Sequence, residues 1–396
     1  MSECPIYTYP SKTPRSLALD PIMTEVAQGA GVARLQLPYG EPCWLVTRYD
    51  DVRTVYVSKK FSRAAMAEES APRLTSSQIL QGAIGSMEER VHVKLRRAVL
   101  GALDAPRLAK LETGAVATMA TQLDALALLG CGDYSSQVAE PFAMCVLCDL
   151  LGLPDSDTKQ IMTWVQTVLV QDSRPDGDFT AAMTEIGLYA YSVIVEREKS
   201  PGTDFISALI EAGGLSKKEC AIIVIGLLFG GFESSATMLT KMVLRMLTTP
   251  EPWNELRHRP ELVPNAIEEM LRTISVAGGE SIPWRVMEPL TLAEIELQPG
   301  DYVMPATGPA NFDPRIFQNP EDVVLDRNPN PHLTFGRGLN MCLGYQIARM
   351  EMNVGIRMLL EKYPDARVAV SAEKLHWDYS SSIWRLSELP LELNYR

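Results

Sequence analysis

One cysteine in this chain is placed to do chemistry. It stands in Phe335-Gly-Arg-Gly-Leu-Asn-Met-Cys342-Leu-Gly344, which ends a long coil and leads directly into residues with helical spacing. Glycines 336 and 338 permit the positive φ of a tight turn and close approach of the backbone to a flat partner, while Gly344 removes a side chain where the helix begins. Cys342 then lies beside a helix N-terminus, whose unpaired N–H groups and dipole favour thiolate over thiol. A lone thiolate does not complete a zinc or iron–sulfur site, but a haem iron asks the protein for one axial ligand and accepts sulfur. The other cysteines do not compete for this role. Seven cysteines, an odd number at scattered positions, suit reduced thiols rather than a disulfide framework. Cys145 and Cys148 form a C-x-x-C inside the apolar stretch AEPFAMCVLCDLLGLP, which reads as a packed helix.

Three further groupings have chemical spacing. Glu269-x-x-Arg272 puts opposite charges on one helix face, where they can pair. His92 and Arg96 are four apart and stand one above the other on a helix. In CAIIVIGLLFGGFESSATMLTKMVLRML, Gly230 and Gly231 each cost about 1 kcal/mol relative to Ala, and Ser234 and Ser235 can bond back to the preceding turn. A kink is expected there, with the acid Glu233 inside it. Phe232, just before that acid, either faces a ligand or packs against a neighbouring helix.

The elements that must position these groups follow from pattern. VARLQLPY and PCWLVTR form a strand pair around the turn Tyr39-Gly40-Glu41-Pro42. From about 88 to 247 the pattern is helical almost throughout, with breaks at Pro106, Leu153-Pro154, Arg174 to Gly177, Pro201-Gly202 and Gly213-Gly214. Residues 282–304 return to strand alternation, 305–334 are coil, a last helix covers about 344–362, and a β segment over 366–396 closes the chain. The class is mainly α with a smaller β portion. With no repeat, low-complexity tract or linker composition, one domain over 1–396 is expected, with residues 1–20 an extended proline-rich lead-in and a β-rich part near 30–60.

Composition narrows the partners. Net charge is −12 without a basic run, which argues against a nucleic-acid binder. The longest apolar run, Ala221 to Phe232, falls short of the ~20 residues that span a bilayer, so a buried core helix is expected there. The start MSECPIYTYPSKTPRSL lacks signal-peptide character, and a cytoplasmic protein is expected.

The loop F-G-x-G-x-x-x-C-x-G, with Ala348 and Arg349 after it, resembles the haem-binding loop of the cytochrome P-450 superfamily, and four more segments agree with that family in order and spacing from about Val46 onward. The resemblance implies a triangular, helix-rich prism around a buried haem b, with Cys342 as the axial ligand and Phe335, Gly336, Asn340 and Gly344 shaping its loop. Arg327, in VVLDRNP, matches the family's partner to Glu269 and Arg272, a structural trio holding the coil. His92, Arg96 and Arg285, in IPWRVMEP, match positions that grip haem propionates. Glu233 and Ser234 occupy the acid and alcohol positions that deliver protons.

Two departures stand out. Ser234 replaces the usual Thr and loses the β-branch that fixes the hydroxyl rotamer. Asn340 replaces the usual His, donating a hydrogen bond without charge; His332 either compensates or is a turn residue. Substrate contacts are implied from 61–87, 226–232, 276–282 and 382–384, with Gly230, Phe232, Val276 and Ile383 as pocket residues. The later of these stretches are mostly small or apolar with few charges, which favours a medium-sized, largely apolar substrate. The implied reaction is hydroxylation or epoxidation with O2 as co-substrate, a tailoring step of bacterial secondary metabolism. Two electrons come from a separate ferredoxin or flavodoxin fed by a reductase, docked near Arg96, Arg97, Arg337 and Arg349 on a monomer. The rival readings are oxidative coupling, rearrangement or dehydration on the same iron, and a haem-thiolate sensor or carrier without turnover.

Overall fold

The alternating residues of Val32–Gln36 and Cys43–Val46 pair antiparallel, with Leu35 opposite Cys43 and Val32 opposite Val46. Leu35, Cys43 and Leu45 are thereby fully buried. The turn between them needs Gly40: its φ is +80°, and a Cβ there would lie 2.2 Å from the Ala71 carbonyl oxygen. This is a computed structural model, which describes residues 6–11, 16–75, 87, 89–169, 177–279, 282–379 and 383–393. Parts of the lead-in, of the break at 174–177 and of the implied substrate segments 61–87, 276–282 and 382–384 therefore lie outside the described residues.

The chain forms two compact units, each assembled from three separate stretches of sequence. Such interleaving leaves no linker, so composition carries no mark of it. The first unit holds 1–89, 264–342 and 379–384. Its six-stranded sheet runs Ile6–Thr8, Val32–Gln36, Cys43–Val46, Tyr302–Pro305, Trp284–Val286, Phe61–Ser62. The lead-in thus supplies an edge strand, parallel to its neighbour. The alternation over 282–304 resolves into Trp284–Val286, Leu290–Leu292, Ile295–Leu297 and Tyr302–Pro305. Trp284, Phe61, Tyr56, Val303 and Phe317 share a core beneath the sheet.

The second unit holds 90–263, 343–378 and 385–396 and is mainly helical. Its helix starts follow capping chemistry. Asp104 caps Ala105–Leu128 with Pro106 in the first turn, Asp204 caps Phe205–Glu211, and Ser216 and Glu219 form a capping box on Lys217–Thr248. Cys145 and Cys148 lie on the helix Glu140–Leu151, whose end is the left-handed Gly152 at φ 69°. One expectation is corrected: the helical region contains a strand, Cys131–Asp133, which follows the Gly130 turn and pairs with Pro390–Glu392. Its partner is distant in sequence, so no local pattern announces it.

The central helix Lys217–Thr248 is continuous through Gly230, Gly231, Ser234 and Ser235. At the expected kink the Ser234 hydroxyl donates to the Gly230 carbonyl at 2.7 Å. Long and apolar enough to cross a bilayer by composition, this helix has 61% of its most apolar window buried inside the protein, as a core helix does.

Candidate active site

In the first unit, the cysteine loop is closed by its own backbone. The Cys342 amide donates to the Phe335 carbonyl at 2.8 Å, with Gly336 at φ 69° and Gly338 at φ 67° between them. A Cβ on Gly338 would meet the carbonyl of Tyr56, on the helix Tyr49–Val57, at 2.9 Å, so the loop comes this close to that helix only because the position is glycine. Cys342 is exposed, Asn340 and Phe335 are half-buried, and Gly344 is the N-cap of Tyr345–Lys362 with open space where a side chain would stand. His332 does not stand in for the missing loop histidine. It is buried with Nε2 3.1 Å from Glu268 Oε2, and its ring tilts against Phe335.

Glu269, Arg272 and Arg327 come together. Arg272 donates to both Glu269 oxygens at 2.8 and 2.7 Å, and Arg327 Nε approaches the same carboxylate at 3.0 Å. The remaining Arg272 donors go to the carbonyls of Asn311, Pro320 and Asp322 at 2.9, 2.8 and 3.1 Å. Phe312 and Phe317 flank its guanidinium. Burial alone would push the Glu269 carboxyl up, but the Arg272 bonds, the Val324 amide and Arg327 hold it below the usual range. The trio pins the coil 311–327, which leads to the cysteine loop.

Arg285 has a partner that sequence reading missed. Its Nη1 lies 2.9 Å from both oxygens of Glu68, which is 217 residues away and so carries no local signal. Among the implied pocket residues, Val276 accepts a backbone bond from Trp384 at 3.1 Å, bringing the Val276 segment beside Ile383.

In the second unit, His92 is buried and Arg96 half-buried, one turn apart on Glu89–Ala102. On the central helix Gly230 is exposed, with nothing within 4 Å of the place a Cβ would take, whereas Phe232 is 3% exposed and packs in the interior. Glu233 is buried, and its Oε1 lies 3.5 Å from Arg385 Nη1; Arg385 Nε lies 3.2 Å from Asp378. Burial pushes Glu233 up to about 7, opposed by Arg385 and reinforced by Asp378 and Glu140. A second buried acid, Glu351 on Tyr345–Lys362, is pushed up to about 8 by burial, opposed by Ser235. Sequence reading missed Arg385 and Glu351, because neither belongs to a spaced pair.

Comparison with known proteins decides the family. A Cytochrome P-450 family model matches residues 255–366. Nocardicin C N-oxygenase of Nocardia uniformis subsp. tsuyamanensis is 34% identical over 389 residues, 97% of this chain and 98% of that protein. The chain belongs to the cytochrome P-450 family. Mycinamicin IV hydroxylase/epoxidase of Micromonospora griseorubida is 33% identical over 97% of this chain and 98% of its own length. The solved structure of the mixed-function P-450 MycG superposes with a TM-score of 0.92 at 32% identity, covering 98% of this chain and 100% of the other.

As a P-450, the chain is a haem-thiolate enzyme that uses O2, a small-molecule substrate and a separate electron donor. Its own residues fit the haem. Among the described residues no group of His, Cys, Asp and Glu could hold a bare metal ion, while the exposed Cys342 on its glycine turn offers the one sulfur that a porphyrin iron needs.

Proposed function

We propose that this P-450 hydroxylates or epoxidises a medium-sized, largely apolar natural-product scaffold as a tailoring step. The observation that carries the reading is the match over 97% of the chain to a hydroxylase/epoxidase named for a mycinamicin. The small or apolar Gly230, Val276 and Ile383 supply compatible surface.

When bound, haem carrying a thiolate ligand supplies dioxygen activation. The residues act around it. Cys342 provides the sulfur on the turn shaped by Phe335, Gly336, Asn340 and Gly344. In the first unit Arg285, which Glu68 shares, would hold a propionate, and in the second unit His92 and Arg96 would do so. Glu233 holds a proton near neutral pH because it is buried, and Ser234 passes protons onward. Arg97 and Arg337 are exposed, and with Arg349 they suit an acidic ferredoxin or flavodoxin fed by a reductase, while Arg96 is kept for the propionate. The protein acts as a cytoplasmic monomer.

The test is turnover of a macrolide and peptide panel under isotopically heavy dioxygen, using surrogate ferredoxin and reductase. One heavy oxygen atom per product is expected. A product without label would place the chain with oxidative-coupling enzymes instead. Cys342→Ala should abolish both the thiolate-type carbon monoxide spectrum and the labelled product.

A further inference from the structure

The C-terminal hairpin reaches the central helix. Its strands Trp377–Asp378 and Arg385–Leu386 pair antiparallel with Asp378 directly opposite Arg385, and the second strand packs on Lys217–Thr248. The Arg385 guanidinium is divided: Nε lies 3.2 Å from Asp378 Oδ2, and Nη1 lies 3.5 Å from Glu233 Oε1. The Glu233 side chain is 10% exposed and that of Arg385 38%, so the cation reaches inward from a wetter position toward a nearly dry carboxyl. A third acid, Glu140, bonded to Gln166 at 3.1 Å, adds its charge to the field at Glu233 and Arg385.

We propose that Arg385 is a positioning residue for Glu233, and that its division between Asp378 and Glu233 sets the pH at which Glu233 gives up its proton. The proposal deepens the reading of Glu233 as the proton-delivering acid and rests on it. Two guanidinium groups in short contact with one buried carboxylate fix the ionised form, as Arg272 and Arg327 do at Glu269. A guanidinium half-engaged elsewhere does not, and the carboxyl keeps its proton to near neutrality. Asp378 thus acts on Glu233 twice, by direct repulsion and by drawing Arg385 away.

The test is an infrared pH titration of the protonated-carboxyl band of the holoenzyme, assigned by its loss in Glu233→Gln. The carbon monoxide spectrum of each variant checks that the thiolate haem is intact. A wild-type midpoint near 7 is expected. Arg385→Gln should raise it by about one pH unit, Arg385→Lys should return most of the shift, and Asp378→Asn should lower it. Midpoints equal to wild type in both Arg385→Gln and Asp378→Asn overturn the proposal, and the milder Asp378→Asn keeps it open to refutation should Arg385→Gln not fold. The underlying reading fails separately. If Glu233→Gln leaves the solvent deuterium isotope effect on NADPH oxidation unchanged, Glu233 does not deliver protons, whatever the titration shows.

Discussion

Glu269 and Glu233 are both buried glutamates facing arginine, yet they are driven in opposite directions. Glu269 meets two guanidinium groups at 2.7–3.1 Å, the Val324 amide at 3.0 Å and the Asn330 amide at 3.1 Å, and lies below the usual carboxylate range. Glu233 meets one guanidinium at 3.5 Å, shared with Asp378, and lies near 7. Desolvation acts on both. What separates them is the number and closeness of donors that replace water. A carboxylate whose lone pairs are filled becomes a structural tie, and one left short of donors keeps a proton that it can release.

The largest disruption should come from the tie. Arg272→Ala leaves Glu269 charged and buried with Arg327 as its one guanidinium, and should cost about 3–5 kcal/mol of stability in urea denaturation. A loss under about 1 kcal/mol would mean that the trio does not hold the coil. The donor-poor acid should behave differently. Glu233→Gln keeps shape and burial, so urea stability should hold while labelled product formation falls by about a hundredfold.

A third expectation concerns pH and Glu351, which resembles Glu233 more than Glu269. Its folded value of about 8 exceeds the ordinary 4.5, so the folded protein holds a proton that the unfolded chain releases. Its contribution is therefore full below the unfolded value and declines as pH rises from about 4.5 to about 8. The slope from this one group is at most about 1.4 kcal/mol per pH unit. Glu351→Gln should flatten that part of the stability–pH curve, and an unchanged slope would contradict a buried neutral acid. The smallest effect is expected at the exposed pair. Glu68→Gln frees Arg285 for a propionate and should slow haem transfer to apomyoglobin about twofold. Faster transfer would show that Glu68 positions Arg285 rather than competing for it.

Sequence spacing alone determined a good deal. The three glycines and one cysteine of 335–344 set the loop and its donor, because glycine torsions and a lone thiol are local properties. The i, i+3 spacing placed Glu269 against Arg272, and alternation placed the strands of 32–46 and 284–305. Tertiary structure decided the rest. The strand Cys131–Asp133 exists because Pro390–Glu392 lies against it, and His332 turns to Glu268 rather than toward the loop's missing charge. Glu68 takes Arg285, Arg385 divides itself between two acids, and burial pushes the Glu351 carboxyl up. Local pattern records which groups a segment carries; desolvation and long-range pairing, which fix their charge, depend on neighbours that only the fold supplies.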